Sequence, residues 1–189
     1  MRIADKQLLE MENTEVFALP FPYCVCNQAL SPQLCLELLT WLENDAPWKL
    51  VETDFYEQYE FSFFDVQLPS EISFLTSPEY LSQVKNQVER LFSVKLETRI
   101  DFTAHKLISG QRIRIHNDNI PGCETHRLLI QLNRGWKDEN GGMLMFLIVK
   151  VPAIYIRYFV LSIIAQLVLQ FPLTLITQCL RCIKVNDLH

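Results

Sequence analysis

The chain has 189 residues, is 49% apolar and 11% aromatic, and carries five glycines and a net charge of −5. Length and apolar content point to one domain with a real core and exclude a disordered chain. The few glycines exclude a loop-rich repeat, and the acidic balance gives no reason to expect nucleic-acid binding.

In chain order, Leu19 to Cys26 is apolar but holds Pro20 and Pro22, which predicts an extended lead-in. Ser31-Pro32-Gln33 is a helix start, with Ser as N-cap and Pro at the first helical position. Leu34, Leu36, Leu38, Leu39 and Leu42 continue it at helical spacing to about Asn44. Trp48–Phe55 and Tyr59–Val66 are predicted strands, rich in Thr, Val and aromatic residues. Ser77-Pro78-Glu79 starts a second helix, with Tyr80, Leu81, Val84, Val88 and Leu91 as its buried stripe to about Ser93. Strands follow at Leu96–Leu107, Arg112–His116 and Arg127–Asn133; then Trp136–Asn140 is turn-like and Gly141-Gly142 opens another strand. Helices first and strands after predict an α+β domain whose strands close into a sandwich or barrel.

No basic amino-terminal segment leads into an apolar stretch, so no signal peptide and a cytoplasmic location are expected. The six cysteines, Cys24, Cys26, Cys35, Cys123, Cys179 and Cys182, are then expected as reduced thiols. Cys179-x-x-Cys182 has no second pair and is a weak metal or redox signal.

The tripeptide His116-Asn117-Asp118 carries the chemistry. In a strand, positions i and i+2 point the same way, so His116 and Asp118 can converge on one ion and supply two of the three ligands of a non-haem Fe(II) facial triad. Alone the triplet is a weak signal. Its surroundings add to it: Arg112 to Asp118, then Thr125-His126-Arg127-Leu128-Leu129-Ile130-Gln131-Leu132-Asn133, then Trp136 and Gly141-Gly142-Met143-Leu144. Over about Gly110 to Phe146 this resembles the 2-oxoglutarate/Fe(II)-dependent dioxygenases, most of all their prolyl 4-hydroxylase-like branch. The resemblance implies a double-stranded β-helix (jelly-roll) core with supporting amino-terminal helices. It implies Fe(II), 2-oxoglutarate as co-substrate, O2, and ascorbate as an accessory reductant. The reaction implied is hydroxylation of a C–H bond in a prolyl or other amino-acid or peptide substrate. His116 and Asp118 are the implied metal ligands. The neighbours have plainer readings: His126 as strand packing, Gly141-Gly142 as a tight turn, and Arg112 and Arg114 as a solvated strand face.

The family's third ligand is a histidine in a His-x-Val setting roughly fifty to sixty residues after the first, with an Arg or Lys beyond it for the far carboxylate of 2-oxoglutarate. Here the next histidine after His126 is His189. Composition also changes near Phe146: of 22 acidic side chains, only Asp187 lies in 147–189. The chain therefore divides into a truncated dioxygenase-like domain, 1–146, and an aberrant apolar tail, 147–189. A shifted reading frame accounts for both observations. Met145 to Val151 can be written with a T run in which one more T gives Met-Phe-Phe-Asn-Ser-Lys-Ser. In that frame the codon straddling Ile176 and Thr177 must be Tyr, His or Asn, that at Gln178/Cys179 Met or Val, and that at Asn186/Asp187 Arg or a stop. A His-x-Val with a following Arg is thus permitted. On this reading the present chain is inactive.

Two alternatives stay open. The tail at face value holds an uncharged run, Phe159 to Ile176, flanked by Arg157 and Arg181. As a helix it would span roughly 27 Å, near the hydrocarbon thickness of a bilayer, which would make a carboxy-terminal membrane anchor. Pro172, Gln166 and Gln170 weaken that reading, and a buried element is the other form the tail could take. The domain could also be a non-catalytic binding module.

Overall fold

The computed structural model describes residues 14–18, 22–26, 29–114, 126–133, 144–148, 157–161 and 173–182, the last three as backbone only. The chain is a mixed α+β protein with antiparallel sheets and two α-helices among the described residues. Strand β1 (Thr14–Phe17) pairs with β2 (Tyr23–Cys26) in a small separate sheet, its turn side held by stacked Phe17 and Tyr23 rings 4.7 Å apart. Both helices begin where Ser-Pro predicts. In α1 (Pro32–Asn44) the Ser31 hydroxyl accepts from Leu34 N–H at 3.3 Å, and in α2 (Pro78–Phe92) the Ser77 hydroxyl accepts from Tyr80 N–H at 3.2 Å.

The main sheet has the order β3-β4-β5-β9-β6. Its strands are β3 (Lys49–Glu52), β4 (Glu57–Ser62), β5 (Leu96–Leu107), β6 (His126–Leu132) and β9 (Leu173–Cys182). Strands β7 (Leu144–Ile148) and β8 (Arg157–Leu161) pair with each other. The strand expected to run on to Val66 stops at Ser62, because the Ser62 hydroxyl accepts from Phe64 N–H and the chain winds into a 3-10 turn over Phe63–Asp65. The expected strand at Arg112–His116 is reduced, in its described part, to one antiparallel bridge between Ile113 and Tyr56.

Both helices lie on one face of the sheet. Leu34, Leu38, Leu39, Trp41 and Leu42 of α1 and Tyr80 and Val84 of α2 share a core with Phe61, Phe63, Phe102, Ala104, Ile130 and Leu132. The strand members recur at every second position, as one face of a pleated strand requires. Five aromatic rings form its centre. Trp41 and Trp48 meet Phe61 edge-on at 5.5 and 4.9 Å, and Phe63 stacks on Phe102 at 4.1 Å. The Trp48 indole N–H donates to Leu42 O at 2.8 Å, so the half-buried ring leaves no polar group unmet.

The join between α2 and β5 is tight. Ser93 takes the left-handed conformation at the helix end (φ 53), and its N–H bonds Glu89 O. Glu89 itself is buried, and its carboxylate accepts from Leu96 N–H at 2.8 Å and Lys85 Nζ at 2.8 Å, with Lys95 Nζ at 3.6 Å. These donors hold the Glu89 carboxyl down at about 2, the Leu96 N–H contributing most.

Candidate metal motif and the polar sheet face

The approach to the candidate metal motif is fixed by a turn and a hairpin. After β5 the chain reverses over Ile108–Gln111: Gln111 N–H donates to Ile108 O at 3.1 Å, and Ile108 N–H donates to the Gln111 side-chain oxygen at 3.0 Å. Gly110 sits at φ +92, a conformation that a side chain would strain. The reversed chain is then pinned to the β3–β4 hairpin. Glu57 N–H donates to Arg112 O at 3.2 Å and Arg114 N–H to Phe55 O at 2.7 Å. The hairpin is braced in turn by the Thr53 hydroxyl, which accepts from Tyr56 N–H at 3.1 Å. Arg112 and Arg114 are exposed, in keeping with a solvated strand face.

The two expected ligands, His116 and Asp118, lie outside the described residues, as do Trp136, Gly141, Gly142 and His189. Among the described residues no group of three or more His, Cys, Asp or Glu gathers to hold a metal. Cys24, Cys26 and Cys35 form no disulfide among the described residues, and burial raises the proton affinity of Cys24 and Cys35. The described ends of the proposed anchor, 159–161 and 173–176, run as strand. No helix among the described residues is long and apolar enough to cross a membrane.

His126 begins β6 on the side of Leu128, Ile130 and Leu132. Its ring meets Phe92 of α2 edge-on at 5.5 Å, and burial lowers its proton affinity. This is a packing position beneath the helix layer.

The sheet's other face carries a polar cluster that the sequence reading did not single out. Gln58 and Glu60 of β4 alternate with Tyr59 and Phe61, and His105 of β5 stands directly across from Glu60. The Gln58 amide nitrogen lies 2.7 Å from His105 Nδ1 and 2.9 Å from Glu60 Oε2, and His105 Nδ1 is 3.5 Å from that same carboxylate oxygen. Burial pushes His105 below the usual imidazole range; Glu60 works against that shift and Arg127 of β6 adds to it. The strand alternation at Gln58/Glu60 and at Thr103/His105 was the available signal. No family model matches the chain, and no curated protein matches it.

Proposed function

We propose that residues 1–146 form a 2-oxoglutarate/Fe(II) dioxygenase-like domain of the prolyl 4-hydroxylase-like kind, whose substrates are peptides or amino-acid-like molecules. The observation that carries this is the ordered set His116-x-Asp118, Leu132-Asn133, Trp136 and Gly141-Gly142 over one stretch of chain. One feature of the fold supports a jelly-roll core: helices occupy one face of an antiparallel sheet.

As a donor set for Fe(II), His116 and Asp118 supply an imidazole and a carboxylate, ligands that this metal takes. No histidine stands at the family's third position, and no clamp for 2-oxoglutarate follows it. The set is incomplete, so this chain holds metal weakly and does not turn over substrate. We further propose that 147–189 is read out of frame, the change lying in the T run near Phe146.

Metal titration and turnover test both proposals. The expected result is weak Mn(II) or Fe(II) binding to the present chain, abolished in His116→Ala and in Asp118→Ala, with no succinate release. Restoring the frame at Phe146 is expected to bring succinate release from 2-oxoglutarate, lost again in either variant. Metal affinity unchanged by both substitutions would overturn the site. A restored chain that binds but releases no succinate would make the domain a binding module. An uninterrupted frame across Phe146 in independent copies of the gene would overturn the frame proposal.

A further inference from the structure

We propose that His105 and Gln58 form a proton-driven switch in which protonation of the imidazole turns the buried carboxamide over. Gln58 is 5% exposed, and its amide nitrogen faces both His105 Nδ1 and Glu60 Oε2. Both contacts need an N–H donor from Gln58, because the reverse orientation would set the amide oxygen against a carboxylate. Nδ1 is therefore the lone-pair nitrogen, and the neutral ring carries its proton on Nε2. This arrangement leaves the Gln58 Oε1 atom buried with no hydrogen-bond partner.

A proton added to Nδ1 would face the Gln58 N–H, donor against donor. A half-turn of the carboxamide removes the clash, because Oε1 then accepts from Nδ1–H. The turn also brings Oε1 to the place 2.9 Å from Glu60 Oε2, so that carboxylate must swing onto the imidazolium, and the amide N–H groups take the buried place where the oxygen had no partner. Glu60 exchanges the neutral amide donor for a charged imidazolium at 3.5 Å. The two states differ by one proton, one amide rotation and the carboxylate swing, and each satisfies an atom that the other does not. Among the described side chains, the other charged groups on this face are Arg127 of β6, Asp101 of β5, paired with Arg99 at 4.0 Å, and Lys49 of β3, opposite Glu60. Strand β9 sets Leu175 across from His105. Glu60 favours protonation; burial and Arg127 oppose it.

The switch sits beside a structural anchor. Gln58 follows Glu57, whose N–H holds Arg112 O on the segment leading to His116-Asn117-Asp118. The inference itself rests on the sheet alone and stands whether or not the domain binds iron.

The test is a pH titration of the full chain, 15N-labelled, from pH 8 to pH 4.5, following the His105 ring nitrogens and the Gln58 side-chain NH2 signals. The expected result is the Nε2–H tautomer at high pH and a Gln58 NH2 shift with the same midpoint as His105, that midpoint lying below 6.5. Glu60→Gln is expected to lower the midpoint further. An Nδ1–H tautomer at high pH, or Gln58 signals that stay flat while His105 titrates, would overturn the proposal. The wild-type titration alone decides between these outcomes if Glu60→Gln does not fold.

Discussion

Beneath the helices, the main sheet presents Phe61, Phe102, Ala104, Ile130 and Leu132 to Leu, Val, Trp and Tyr side chains of α1 and α2. On its other face, the intervening positions present Gln58, Glu60, Thr103, His105 and Arg127. The same strands, one residue out of step, thus make a hydrocarbon layer and a titratable one. On the first face stability comes from area removed from water and ring packing, which are indifferent to pH. On the second it comes from hydrogen bonds whose donors and acceptors change with protonation. Mutations under the helices should therefore be costly at any pH, and those on the other face should act mainly through the pH dependence.

Phe63→Ala gives this contrast its largest expected signal. Phe63 is 1% exposed and stacked on Phe102, so its removal is expected to cost roughly 3–5 kcal/mol in urea unfolding. Thr103→Ala, on the other face, is expected to cost less than about 1 kcal/mol. Comparable losses in the two variants would erase the distinction between the faces.

Glu89 sharpens the comparison because it is a charge beneath the helices. Glu89→Ala strands the Leu96 N–H at the start of β5 and is expected to cost roughly 1–3 kcal/mol. The acid limb gives a second readout. The carboxyl sits at about 2 in the folded chain, against an ordinary 4.5. A lowered folded value means that the unfolded chain takes up the proton first. The stabilisation from Glu89 is present above 4.5 and drains away as pH falls towards 2. Glu89→Gln should flatten that limb of the stability curve, and a wild-type-like limb would remove Glu89 as its cause.

The polar face acts in a higher window. His105 is held below the ordinary 6.5, so below that pH the unfolded chain binds a proton that the folded chain resists, and stability declines as pH falls. His126 contributes with the same sign. His105→Gln should remove part of this decline and leave the Glu89 limb in place. An unchanged decline would remove His105 as its cause.

Much of this fold was legible from local rules. Ser31-Pro32 and Ser77-Pro78 located both helix starts to the residue, and Leu96–Leu107 was bounded correctly because turn residues flank it. What escaped depends on distant partners. Strand β1 is four residues long with Val16 60% exposed, and only its pairing with β2 makes it a strand. The run 173–182 mixes apolar and polar residues without strict alternation, so its periodicity does not separate helix from strand; pairing with β5 and β6 makes it β9. Glu89 looks like one of many helix-surface acids until Leu96, beyond the helix end, supplies its donor. His105 looks like one polar residue in an alternating strand until Gln58 and Glu60 arrive from another. The candidate ligands were the reverse case. His116 and Asp118 were legible as a motif, yet they lie outside the described residues, which end at Arg114 and resume at His126.

The smallest expected effect lies at the hinge between the two layers. Ser93 ends α2 in the left-handed region, where a Cβ crowds the backbone and glycine does not. Relieving that crowding with Ser93→Gly is offset in part by the greater freedom of glycine in the unfolded chain. The net gain expected is about 0.5–1 kcal/mol, measured as a rise in the urea midpoint with the slope unchanged. Ser93→Val, whose branched side chain tolerates this conformation least, should move the midpoint the other way. If both substitutions shift it in the same direction, the helix end is held by something other than backbone conformation, and the Glu89–Leu96 bond is the first place to look.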